Sequence, residues 1–176
     1  MGTSRSVSAP SQVLSSADLP GLYDLHFRSL VKLASMYVDD RGSAEVVVQD
    51  AFVKLLSGNY RVEQGKEAAY LRMIVLNGAR STLRKRRVRR NHTPDVPGIV
   101  AAAEESGVAS AERERILAAV RQLPEKQASV IILRYYLDLS EAEIADTLDI
   151  ARGSVKSHAH RGLAKLESVL GEGGFR

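Results

Sequence analysis

Ser140 and Glu143 stand three residues apart at the head of SEAEIADTLDIARGSVKSHAHRGLAKLESVL, and this spacing fixes where a helix begins. In such a capping box each side chain satisfies a backbone donor of the other residue, removing orphan N–H groups from the first turn. From there Ile144, Ala145 and Leu148 recur at helical spacing. The turn Asp149–Ile150–Ala151 interrupts the period, which resumes with Val155, Ala159, Gly162, Leu163 and Leu166. The segment is two short helices joined by a tight turn.

On the second of these helices, at about 100° per residue, Ser154, Lys156, Ser157, His160, Arg161 and Lys165 fall away from the apolar face. No acidic residue interrupts between Arg152 and Lys165. A helix-turn-helix inserts its second helix into the major groove, where side chains read base edges and phosphate contacts fix the register. Lys156, Ser157, His160 and Arg161 are therefore expected at base edges or nearby phosphates. A merely solvated basic face is the alternative reading of the same residues.

The rest of the chain is also helical in pattern. Tyr23, Phe27, Leu30, Ala34 and Tyr37 mark a helix from Leu19 to Val38, stopped by Asp39, Asp40 and Gly42. Ala44, Val47, Val48, Ala51, Phe52 and Leu55 form one stripe of a helix from Ser43 to about Ser57, with Ser43 as N-cap. The polar SGNYRVEQGK reads as a loop. A long helix follows from about Lys66 to Arg87, leading into the basic run Arg84, Lys85, Arg86, Arg87, Arg89, Arg90. Two prolines and two glycines in NHTPDVPGIVAAAEESGVAS mark a linker. Beyond it Ile116, Leu117, Val120 and Leu123 line one helix, and Pro124 opens another. The expected layout is a disordered tail over 1–18, a helical domain over 19–90, a flexible linker over 91–110 and a second helical domain over 111–170.

Composition removes several function classes. The 176 residues contain no cysteine, which excludes a disulfide framework and thiolate metal sites and fits a reducing, cytoplasmic setting. No apolar run reaches the roughly 18 residues of a membrane span. His158 and His160 are two apart and so point about 200° away from each other on a helix, a poor metal pair. Asp39 and Asp40 read as a helix stop, and no phosphate-cradling glycine loop is present. An enzyme, a resident cofactor, a metal site and a small-molecule substrate are accordingly not expected. A pure adaptor would leave the basic helix face without a use, and a stand-alone helix-turn-helix regulator would leave the first half without one.

These residues resemble the extracytoplasmic-function (ECF) sigma factors of the sigma-70 superfamily, most of all the actinobacterial sigma-E-like group. LPEKQASVIILRYYLDLSEAEIADTLDIARGSVKSHAHRGLAKL resembles their second conserved domain, and AEVVVQDAFVKLL and AAYLRMIVLNGARSTLRKRR resemble two helices of the first. The resemblance implies an all-α protein of two small domains that binds core RNA polymerase and promoter DNA and is held by an anti-sigma factor. It implies minus-thirty-five contacts by Arg152, Ser154, Lys156, Ser157, His158, His160, Arg161 and Lys165. For the minus-ten element and its backbone it implies Asn59, Tyr60, Arg61, Asn77, Arg80, Arg84, Lys85, Arg86 and Arg87. Glu45, Gln49 and Asp50, on one side of the second helix, are the implied polymerase contacts. The chain departs from the family pattern at Val46, Leu56, Tyr70 and Ser81, at Asp149 where glycine is common, and at Ala151–Arg152 where Ser-Pro is familiar.

Overall fold

The computed structural model describes residues 11–13, 19–57, 61–92 and 107–171. Helices α1 (Leu19–Ala34), α2 (Arg41–Ser57) and α3 (Glu67–His92) make the first half. The second half comprises α4 (Gly107–Val120), α5 (Glu125–Ile131), which runs on into a π-helical turn over Ile132–Tyr136, α6 (Glu141–Leu148) and α7 (Arg152–Leu170). The all-α reading holds, with one small addition. Strand β1 (Ser11–Val13) pairs antiparallel with β2 (Arg61–Glu63), Gln12 facing Val62. Residues 11–13, expected in a disordered tail, and 61–63, expected in a loop, therefore form a ribbon. Each strand is three residues long, too short to show an alternating pattern.

Helix α1 ends at Ala34, four residues before the expected stop. The chain then turns inward and buries Met36, Tyr37 and Val38. The N-cap of α2 is Asp40 rather than Ser43: its carboxylate accepts from the Ser43 N–H and from the Ser43 hydroxyl, each at 2.7 Å. An aspartate at this position satisfies an orphan donor and favours the positive helix end. The stripe Ala44, Val47, Val48, Ala51, Phe52 and Leu55 is buried throughout. Helix α3 continues to His92, and α4 begins at Gly107, so the described helices enter the expected linker from both sides; its remainder, 93–106, lies outside the described residues.

One apolar cluster runs through both halves, from Leu30 and Leu33 through Leu71, Val75 and Leu76 to Leu133, Ile144 and Leu166. Burying each such side chain contributes about 1.5–3 kcal/mol. Helix α6 lies against α3, and charges line this seam. Arg121 donates from Nε to the Met36 carbonyl at 2.9 Å and pairs with Asp39 at 3.5 Å. Arg72 faces Glu143 at 3.7 Å, and Lys66 faces Asp146 at 3.5 Å.

Candidate nucleic-acid interface

The capping box forms as the sequence requires. Ser140 Oγ accepts from the Glu143 N–H at 3.3 Å, and the Ser140 N–H donates to Glu143 Oε2 at 3.0 Å. The Ser140 N–H and then the Ser140 hydroxyl, which donates to the same oxygen at 2.8 Å, hold the Glu143 carboxyl below its usual range. Helix α6 ends at Asp149, whose φ of 50° and ψ of 58° are left-handed, a conformation that aspartate tolerates better than most residues. The Ile150 N–H closes the turn on the Ala145 carbonyl at 3.1 Å, and Lys126 Nζ donates to the Leu148 carbonyl at 3.0 Å. Helix α7 then starts at Arg152 from an extended Ala151, which has no side-chain cap to offer.

Val155, Ala159, Gly162 and Leu166 turn α7 onto the bundle. A Cβ at Gly162 would stand 3.0 Å from Ile131 Cγ1, so glycine sets how closely α7 approaches α5. With that face buried, Arg152, Lys156, Ser157, His160, Arg161 and Lys165 are exposed together along the opposite side. Ser157 Oγ donates to the Gly153 carbonyl and Arg161 Nε to the Ser157 carbonyl at 3.2 Å. Lys156 leans on Glu141 at 3.8 Å, its side chain still 72% exposed and free to move.

Two expected contacts sit differently. Ser154 and His158 are half-buried at the edge of this face. His158 Nδ1 is buried without a hydrogen-bond partner among the described residues, and burial, followed by the nearby Arg161 and Lys126 charges, pushes its pKa below the ordinary 6.5. Its place in the sequence pattern gives no sign of this burial.

In the first half, Gln49 and Asp50 are exposed on α2, while Glu45 is half-buried and tied to Arg41 at 2.8 Å. The same side carries Val46, Val53 and Leu56, which are 54%, 59% and 58% exposed. Sequence reasoning noted Val46 and Leu56 only as departures and passed over Val53. The signal was there: all three fall off the buried stripe of their own helix.

The basic part of α3 divides. Arg84, Lys85 and Arg87 are exposed, as is Asn77. Arg86 is engaged within the first half, donating to Asp39 at 2.9 Å and to Ser43 Oγ at 2.7 Å. Arg80 is engaged across the seam, bonded to Glu125 at 2.8 Å and to the Ser129 hydroxyl, its side chain only 13% exposed. Neither guanidinium is free for a nucleic-acid phosphate in this arrangement. Run composition could not distinguish them from their neighbours. Asn59 and Tyr60 lie outside the described residues, and for Arg61 only the backbone, in β2, is described.

Comparison with known proteins adds a second line of evidence. Residues 22–89 match the family described as Sigma-70 region 2, and residues 113–166 match Sigma-70, region 4. The RNA polymerase sigma-E factor of Streptomyces avermitilis is 30% identical over 143 residues, 81% of this chain and 79% of the relative. This chain belongs to the ECF sigma factors. The ECF RNA polymerase sigma factor SigX of Bacillus subtilis is 28% identical over 158 residues, covering 85% of this chain and 81% of its own. Among solved structures, the sigma factor RpoE from Bartonella quintana, in complex with the anti-sigma factor NepR, superposes with a TM-score of 0.63 at 25% identity, covering 87% of this chain and 96% of that one. CnrH, in complex with the cytosolic domain of CnrY, gives 0.63 at 22% identity and covers 89% of each chain. The region 2 match of this ECF sigma factor takes in α1 to α3 and the region 4 match takes in the helix-turn-helix, so both halves are accounted for.

Proposed function

We propose that this ECF sigma factor binds core RNA polymerase and places it at promoters whose minus-thirty-five element is read by α7. The observation that carries this reading is the exposed row Arg152, Lys156, Ser157, His160, Arg161 and Lys165 on the second helix of a capped helix-turn-helix. Arginine and lysine can bond guanine edges, serine can bond either base type, and the same cations hold phosphates. Ser154 and His158 flank the row and shape its edge.

The first half takes the minus-ten element. Asn59, Tyr60, Arg61 and Asn77 offer an aromatic face and polar groups for an unstacked base. Arg84, Lys85 and Arg87 follow the backbone, a sequence-independent and salt-sensitive attraction. Arg80 and Arg86 join them only if their present pairs open.

Polymerase docks on α2 through Gln49 and Asp50, with Glu45 at the margin. The exposed Val46, Val53 and Leu56 supply the apolar centre that such an interface needs. The protein performs no chemistry of its own and acts in the cytoplasm; none of the described helices is long and apolar enough to cross a membrane. As the Bartonella quintana relative is held by an anti-sigma factor, this chain is held by one of its own. A stand-alone regulator would need only the second half.

Gel filtration of the chain with core polymerase tests the docking step. Co-elution that Val53→Asp abolishes supports it. Absence of co-elution from the folded wild-type chain contradicts it.

A further inference from the structure

A cleft of about 190 Å3 opens at the seam, walled by Arg80, Arg84 and Arg87 of α3 and by Arg121 and Glu125 of the second half, with Tyr37 at its floor. Spacings of four and three place the α3 arginines on one helical face, where like charges repel. Glu125 answers Arg80 at 2.8 Å, and Asp39 and Glu114 answer Arg121 at 3.5 and 3.7 Å. Arg84 and Arg87 pair with no carboxylate among the described residues. Leu83 and Leu123 also line the cleft, while Arg84 and Arg87 themselves are exposed. The Tyr37 hydroxyl is buried beside Ser129 and Arg80. Burial raises its pKa above the ordinary 10.0, against the opposing effects of Arg80 and Ser129, so the phenol keeps its proton.

We propose that this cleft binds a small phosphate-bearing anion, of the size of phosphate or diphosphate, between Arg84 and Arg87, with Arg121, already held by Met36, Val38, Asp39 and Glu114, as the facing wall. Two guanidiniums without a carboxylate partner among the described residues, Arg87 donating only to the Arg121 carbonyl at 3.4 Å, suit a dianion, and arginine forks match its oxygens. Because the walls come from both halves, the bound anion lies against both. It also takes Arg84 and Arg87 away from promoter phosphates, so occupancy opposes DNA binding. The anion site stands without the promoter-reading role, while the competition with DNA rests on it.

The test is calorimetric titration of the full chain with inorganic phosphate and with pyrophosphate, at an ionic strength held constant with chloride. Saturable binding and a rise in the thermal midpoint are expected for the wild type and for Lys54→Gln, a control on α2. The Arg84→Gln/Arg87→Gln double variant is expected to lose about tenfold or more in affinity while keeping its circular dichroism spectrum, since both side chains are exposed. Three results would overturn the assignment: no saturable heat, equal affinity in the double variant, or binding of a single-stranded oligonucleotide alone. The last would make these arginines a backbone track instead.

Discussion

Arg80 donates from Nη1 to Glu125 Oε1 at 2.8 Å, joining helices of the two halves across 45 positions of sequence. The two ends of this pair differ in setting: the arginine side chain is 13% exposed and the glutamate 61%. Solvent reaches the glutamate, so removing it should cost little, about 0–1 kcal/mol. Removing the arginine leaves the buried Ser129 hydroxyl with only its own bond to the Glu125 carbonyl, and Arg80→Ala should cost about 1–3 kcal/mol. Urea unfolding of Glu125→Gln and Arg80→Ala measures both, and equal losses would contradict this division.

The uncapped start of α7 offers a gain. Ala151 already has the extended backbone of an N-cap, with φ −64° and ψ 144°, and lacks only the side-chain oxygen. Ala151→Ser should stabilise the chain by about 0.5–2 kcal/mol, and Ser140→Ala should destabilise it by a similar amount. Thermal unfolding that moves the same way in both would count against the capping account.

Acid should loosen the helix starts. The Asp40 carboxyl is held below its ordinary 3.8 first by the Ser43 N–H, and Glu143 below its ordinary 4.5 first by the Ser140 N–H. Both folded values are depressed, so the stabilisation is present above the unfolded values and is lost as pH falls through the folded ones. Stability should therefore fall below about pH 4.5, and less steeply in Ser140→Ala. Identical acid profiles for wild type and Ser140→Ala would leave the Ser140 N–H as the sole source of the Glu143 shift, and identical profiles for wild type and Glu143→Gln would exclude the Glu143 contribution.

DNA reading and polymerase docking should separate by mutation. Arg161→Ala should weaken recognition of the upstream element by about 1–3 kcal/mol and leave polymerase binding unchanged. Replacing Gln49 and Asp50 together should do the reverse. The checks are anisotropy titrations with promoter DNA and co-elution with core polymerase; loss of both functions in either variant would show that the two faces are not independent.

Much of this was legible in the chain because helices repeat their apolar side chains at short range. The capping box, the stripe of α2 and the turn at Asp149 are all written within a few residues. What sequence could not show depends on separation. Nothing near Arg80 indicates Glu125, and nothing in the run from Arg84 to Arg90 marks Arg86 as the partner of Asp39. His158 has the same local pattern as His160, yet its Nδ1 is buried and only His160 is exposed. The ribbon of Ser11–Val13 with Arg61–Glu63 was invisible for the same reason, since its partners lie far apart. Val53 was readable in principle, as an apolar residue off its helix's buried stripe.

The most direct test is run-off transcription with purified core polymerase and this protein on fragmented genomic DNA, with the transcript starts sequenced. Discrete new starts, each preceded by two spaced elements and lost with Arg161→Ala, are the predicted result. A folded protein that yields no new starts would contradict the account.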